Sequence, residues 1–217
     1  MGPPLKVLNA PLPHIFRGTT RKQVSKDECM YTILCFTLFG CVDKHIPETS
    51  PVSQYADLFD NHPTYQSDGF DFPVGKPNAK GYRDAQSFGV QNHSGEDWNG
   101  NGGGDSDLGD PIYAIANGWV SVSENKGGGW CNVVRVVHQV DGVFIESLYA
   151  HLDTMDKQVG DWVKRGEQLG TIGKCADYLA HLHLELRNQP DMPLGNGYSS
   201  EDKGLLSPTA YITAHRP

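Results

Sequence analysis

A chain of 217 residues can hold one domain with a sizeable core and still leave length for tails. Its net charge of −8 excludes nucleic acid as a partner, since that binding rests on Lys and Arg neutralising phosphates, and argues against any strongly anionic partner. A hydrophobic share of 38% together with 25 glycines points to a turn-rich β protein rather than a helical one.

Residues 1–29 do not read as folded domain, because Pro3, Pro4, Pro11 and Pro13 interrupt a stretch with few periodic apolar positions. Residues 30–41 (MYTILCFTLFGC) are too short an apolar run to cross a bilayer as a helix and fit the apolar centre of a signal peptide. The ending Leu38-Phe39-Gly40-Cys41 resembles a bacterial lipoprotein box, with cleavage before Cys41 and a membrane anchor through a lipid on its thiol. Phe39 is bulkier than the residue usual there, and Asp27 and Glu28 sit where basic residues are expected. A true start at Met30 accounts for the acidic pair; a buried hydrophobic helix is the competing assignment. Export leaves Cys131 and Cys175 in an oxidising compartment that allows a disulfide, although sequence cannot bring their Cα atoms together.

Residues 42–65, punctuated by Pro47, Pro51 and Pro63, are expected to be a linker with at most a turn of helix at 55–59. That assigns the folded domain to residues 66–217, with ordered β structure beginning near residues 70–74. Residues 97–110 form a Gly-rich loop in which Asp97, Asn99, Asn101 and Gly102 match the first half of an EF-hand. Leu108 stands where the bidentate glutamate is required, so the EF-hand is rejected and only a looser cation site is left open.

From Pro111 onward the pattern is strands and tight turns. Residues 112–116, the pair Asn117-Gly118 and residues 119–122 read as strand, turn, strand. Residues 132–140 and 143–151 flank Asp141-Gly142, a strong two-residue hairpin signal. That register places Val134 opposite Tyr149 and Asn132 opposite His151, and both faces are apolar enough for a central hairpin. Residues 159–170 read as two short strands about a glycine turn, and Ser207-Pro208 opens a short terminal helix.

Residues 181–187, His-Leu-His-Leu-Glu-Leu-Arg, alternate strictly between polar and apolar, the period of a strand with one buried face. Leu182, Leu184 and Leu186 point into a core; His181, His183, Glu185 and Arg187 point the other way. Two imidazoles side by side can serve one ion or one reacting atom, and zinc favours His nitrogen and carboxylate oxygen. Upstream, His93 and Asp97 are further candidates, though a His-x-x-x-Asp spacing is weak by itself.

Together, residues 92–97 (NHSGED), 109–120 (GDPIYAIANGWV), Tyr149-Ala-His151-Leu, 159–170 and His181-Leu-His183 resemble the lysostaphin-type (LytM-like) zinc metallopeptidases over roughly residues 70–190. The resemblance implies an all-β fold, an antiparallel β-sandwich of hairpins with a groove, here closed by a short C-terminal helix. It implies that His93, Asp97 and His183 are the ligands of a Zn2+ ion and that His181 and His151 are the catalytic histidines. One carboxylate and two neutral imidazoles leave such an ion with a net charge of about +1. No His-Glu-x-x-His glutamate is present, so a histidine must take the proton; His181 is assigned as the base and His151 as the donor, in roles that the sequence leaves exchangeable.

Two departures bear on substrate choice. The Gly-rich insertion after Asp97 is longer than the family pattern, and residues 173–180 lack the Gly-Ser-Thr-Gly character usual before His-x-His. Glu185 reads equally well as a partner of His183 and as a solvated strand charge. His138 reads as structural, and Trp98, Trp119, Trp130 and Trp162 as core or groove wall. The chain is thus expected to be an exported, cell-envelope zinc endopeptidase that cuts peptidoglycan stem peptides or cross-bridges. The alternatives are a non-catalytic wall-binding or hydrolase-activating protein of the same fold and, for residues 159–170, a biotinyl-type carrier hairpin that lacks its lysine.

Overall fold

The computed structural model describes residues 51–201 and 204–217, so the signal-like segment 30–41 and Cys41 lie outside the described residues. In chain order these form helix α1 (Pro51–Asp60) and strands β1 (Tyr82–Gln86), β2 (Glu96–Gly100), β3 (Pro111–Tyr113), β4 (Gly118–Asn125) and β5 (Asn132–Val140). They continue with β6 (Val143–Met155), β7 (Trp162–Val163), β8 (Gln168–Ile172), β9 (Leu182–Arg187), β10 (Leu205–Leu206) and helix α2 (Pro208–Ala214). The strands pair antiparallel in the order β1-β2-β9-β6-β5-β4-β7, with β10 on β9 and with β8 joining β3 to β6. The fold is all-β, with the short C-terminal helix where Ser207 caps it by accepting from the Ala210 amide.

The β5–β6 hairpin is the spine. Asp141 and Gly142 both take positive φ, as a two-residue turn matching the twist of its strands requires. Val134 pairs with Tyr149 as expected, but Asn132 pairs with Leu152 rather than His151. The extra residue is a bulge, and His151 sits in it at φ 64°, a left-handed conformation uncommon for a residue with a Cβ. There β6 changes partner, running beside β9 up to Ala150 and beside β8 from Leu152. Gly173 closes the bend, donating its amide to the His151 carbonyl at 2.9 Å. A Cβ on Gly173 would lie 2.5 Å from that oxygen and from the Asp153 nitrogen, so only glycine fits.

The main core gathers Leu182, Leu184 and Leu186 with Val134, Val136, Tyr149, Ile112, Ile172 and Phe70, all buried. Replacing a leucine at its centre, such as Leu184, by alanine would cost about 2–5 kcal/mol. The expected one-sided burial of residues 181–187 is corrected: every residue of β9 is buried, on both faces.

Three further expectations are revised. Residues 51–60, expected as linker, form α1, and its Tyr55 and Phe59 are buried against Val137, Phe144, Trp119 and Trp162. The apolar stripe is only two residues long at spacing four, so it hides in a polar composition. Residues 70–74 form no strand, because Pro73 has no amide to give a ladder, yet Phe70 and Val74 are fully buried. Finally, β3 and β4 do not pair with each other; β3 pairs with β8 and β4 with β5 and β7. Asn117 between them is a junction instead, donating to the Gln66 carbonyl at 2.9 Å and accepting from the Arg165 amide at 2.9 Å.

Candidate metal centre

Strands β2 and β9 run side by side with Asp97 directly opposite His183. His93 enters from the turn before β2, and Gly95 lets that segment press against β9, where a Cβ would lie 2.3 Å from the Leu184 carbonyl oxygen. The result is a triangle: His93 Nε2 to His183 Nδ1 3.1 Å, His183 Nδ1 to Asp97 Oδ1 2.9 Å, and His93 Nε2 to Asp97 Oδ1 3.4 Å. It is the one such group of three or more His, Cys, Asp or Glu side chains among the described residues.

The donor set fits a metal ion. His93 Nδ1 lies 3.2 Å from the Gln86 carbonyl, and His183 Nε2 lies 3.2 Å from Glu185 Oε1. Each of those oxygens can only accept, so the ring proton is assigned to the nitrogen facing it. The nitrogens facing Asp97 are then lone pairs. Three acceptor atoms then converge on one point, an arrangement that suits a metal cation and that protonation of His183 satisfies in its absence. A tetrahedral ion with bonds of about 2.0–2.1 Å holds its ligand atoms about 3.3 Å apart, close to the sides of this triangle. The surroundings also favour positive charge. Burial works against protonating His183, but the hydrogen bonds and charges of Asp97 and Glu185 outweigh it and carry its pKa up to about 9. Burial would raise the Asp97 carboxyl, yet bonds from His183 and His93 hold it well below the usual carboxylate range.

Glu185 is not a solvated charge. It is 2% exposed, and its Oε2 accepts from Arg187 Nε at 3.0 Å and Nη2 at 2.6 Å. Arg187 Nη1 in turn lies 3.7 Å from Oε2 of the buried Glu146, which Arg135 also meets at 3.4 Å. The carboxylate that orients His183 is therefore itself held by a buried ion network.

His151 and His181 face the triangle from two other directions. The His151 ring lies 4.6 Å from that of His181 and 5.7 Å from that of His183, centroid to centroid. Its Nδ1 is buried, with no hydrogen-bond partner among the described residues. Burial first, then the neighbouring His181 and His183, push its pKa down to about 3, so it is neutral at neutral pH. His181 Nδ1 lies 2.8 Å from the Leu179 carbonyl, which assigns the proton to that nitrogen and leaves Nε2, 3.8 Å from Asp97 Oδ1, as the acceptor. All five sequence candidates thus come together.

They line a groove of about 400 Å³ whose walls include Trp130, Tyr178 and Tyr198. The Cys131–Cys175 disulfide ties the turn that carries Trp130 to the loop that carries Tyr178. Residues 195–198 escaped sequence reasoning: they form a wall, with Trp130 Nε1 donating to the Gly195 carbonyl at 3.0 Å, but their composition is that of any coil. His138, by contrast, does not line the groove and is fully buried.

The family model described as Peptidase family M23 matches residues 91–194, a range holding all five residues. Lipoprotein NlpD of Yersinia enterocolitica is 37% identical over 79 residues, which cover 36% of this chain and 78% of that protein. The chain belongs to peptidase family M23. Other relatives are much longer: cell division protein DipM of Caulobacter vibrioides is 35% identical over 38% of this chain but only 13% of its own length. The chain likewise covers 20% of the murein hydrolase activator NlpD of Escherichia coli, at 34% identity over 36% of this chain. Among solved structures, the antimicrobial peptidase lysostaphin from Staphylococcus simulans aligns at 23% identity and a TM-score of 0.48, covering 62% of this chain and 50% of that one.

Proposed function

We propose that this M23 domain is a zinc-dependent endopeptidase that hydrolyses peptide bonds in bacterial cell-wall peptidoglycan, in stem peptides or cross-bridges. The observation that carries the proposal is the closed triangle of His93 Nε2, Asp97 Oδ1 and His183 Nδ1 with two further histidines facing it across one groove. Zinc, when bound, supplies a Lewis acid that polarises a carbonyl and acidifies water. His93, Asp97 and His183 would hold it, with Glu185 fixing the tautomer of His183. His181 is the general base: its Nδ1 proton is committed to Leu179, so Nε2 is free to take the proton from the attacking water. His151 lines the groove beside His181, which suits it to hydrogen-bond the developing oxyanion or pass a proton to the leaving amine. The aromatic walls exclude water from an extended peptide lying in the groove.

A second reading has support of its own. Several relatives are named murein hydrolase activators, so this chain could bind the wall and activate another hydrolase without cutting. The complete ligand triangle favours catalysis. Relatives named as lipoproteins support an envelope location, and the disulfide suits the oxidising compartment that export would reach. Anchoring through a lipid on Cys41 extends that proposal.

Mass spectrometry of peptides released from purified peptidoglycan by zinc-loaded residues 42–217 tests the function. New termini within stem peptides or cross-bridges are the expected result. Intact peptides, with cleavage appearing only when a second hydrolase is added, would instead establish the activator.

A further inference from the structure

The Gly-rich insertion after Asp97 supplies no ligand, acid or base, yet it is built with care. It folds as successive tight turns: Gly103 donates to the Gly100 carbonyl, Ser106 to Gly103, Leu108 to Asp105 and Asp110 to Asp107, all at 3.0–3.2 Å. Both ends are rooted. Buried Asp107 accepts from the Gly100 amide at 2.9 Å, and β8 is gripped by a reciprocal pair, Gly109 amide to Ile172 carbonyl and Ile172 amide to Asp110 carbonyl, both 2.8 Å. The insertion is thus a rigid platform beside the loop 173–180.

From that platform Asp105 reaches across. Its Oδ1 accepts from the Ala180 amide at 2.9 Å, and its Oδ2 from Lys174 Nζ at 2.6 Å. On the other side of buried Ala180, Asn99 Nδ2 donates to the Ala180 carbonyl at 3.1 Å. The Ala180 N–H belongs to the same peptide plane as the Leu179 carbonyl, and that carbonyl receives the His181 ring proton. We propose that Asp105 is a positioning residue for His181: by gripping the Leu179–Ala180 peptide plane at its N–H, it fixes the carbonyl that sets the tautomer and orientation of the His181 ring. Rotation of that plane removes the ring's acceptor. A carboxylate on the N–H also polarises the amide and strengthens its carbonyl as an acceptor. Asn99 prevents the next plane from following any rotation, and the Cys131–Cys175 disulfide holds the loop near its other end. The longer insertion thereby does what the loop 173–180, lacking the usual small-residue turn, does not do for itself.

The inference rests on His181 being the general base, and the experiment separates the two. In the full, zinc-loaded chain, Asp105→Ala is expected to lower kcat about 10–100-fold with zinc content and KM near wild type, as misplacing a reacting group does. Asp105→Asn keeps an oxygen for the Ala180 amide and should recover most of kcat, while Lys174→Ala, which removes only the ion pair, should stay near wild type. Nitrogen-15 spectra of the histidine rings in zinc-free protein should show the single Nδ1–H tautomer of His181 in wild type, Asp105→Asn and Lys174→Ala, and a tautomer mixture in Asp105→Ala. If Asp105→Ala unfolds, Asp105→Ser, whose shorter side chain does not reach the Ala180 amide, takes its place in both measurements, and wild-type kcat with a single tautomer there overturns the proposal. A single tautomer in Asp105→Ala overturns the proposal, as does Lys174→Ala matching the loss of Asp105→Ala with no rescue by asparagine. Wild type that cuts no peptide while the ring spectra behave as expected would refute the catalytic reading and leave the clamp standing.

Discussion

His138 and His183 are both buried in one sheet, both with a polar partner at each ring nitrogen, and chemically opposite. His138 gives Nδ1–H to the Asn117 carbonyl at 2.8 Å, and its Nε2 meets the Ser147 hydroxyl at 2.7 Å, a group able to donate. Each nitrogen has a complementary partner, and with no carboxylate at hand burial takes the pKa down to about 4. His183 also spends one nitrogen on an acceptor, Glu185, but its other nitrogen faces Asp97 and His93, which are acceptors too. Burial alone therefore does not separate a structural histidine from a ligand. What separates them is whether the second nitrogen meets a donor or a set of acceptors that needs a cation.

Side-by-side substitutions should break this comparison most sharply. His183→Ala is expected to lose both zinc and cleavage. His181→Ala and His151→Ala should keep about one zinc per chain while losing on the order of 10²–10⁴ in rate. His138→Gln should retain zinc and cleavage if it folds. Zinc content and peptidoglycan cleavage for the four variants settle the matter: zinc lost from His181→Ala and kept by His183→Ala would reverse the ligand assignment.

A pH series addresses the neutral member of the pair. Because the folded pKa of His138 lies below its ordinary value near 6.5, the unfolded chain binds the extra proton between the two. The stability due to the neutral ring is thus fully present above about pH 6.5 and is lost as pH falls towards about 4, amounting to about 3 kcal/mol by linkage. Urea unfolding of zinc-free protein should show a steeper dependence over this range in wild type than in His138→Gln, where His151 still contributes. Equal slopes in the two proteins would place the acid sensitivity elsewhere.

The smallest effect concerns the support of the ligand. Glu185→Gln leaves shape and volume but weakens the acceptor on His183 Nε2 and the pairing with Arg187. Competition with a chelator should show zinc affinity reduced about 10–100-fold. An unchanged affinity would mean that Asp97 alone orients the ring.

Much of the site was legible because its parts are local. The alternation of residues 181–187 puts His181 and His183 side by side whatever surrounds them, and the motif order along the chain supplied His93, Asp97 and His151 through resemblance. What local pattern could not show was the company each residue keeps. The strand pattern leaves Glu185 equally suited to solvent and to His183, and only the ion network with Arg187 and Glu146 accounts for its burial. His151 was placed opposite Asn132 by counting from the turn; a one-residue bulge moved it, and counting cannot detect a bulge.

The sequence by itself determined the all-β class, the central hairpin about Asp141-Gly142 and the capped terminal helix, which follow from side-chain period and turn residues, and named five candidate site residues through the family resemblance. Tertiary structure alone decided that α1 packs on the sheet, that Cys131 meets Cys175, that residues 195–198 wall the groove and that Asp105 reaches Ala180. These contacts join segments far apart in the chain, and their geometry depends on how strands twist, bulge and exchange partners, which the order of residues along one strand does not reveal.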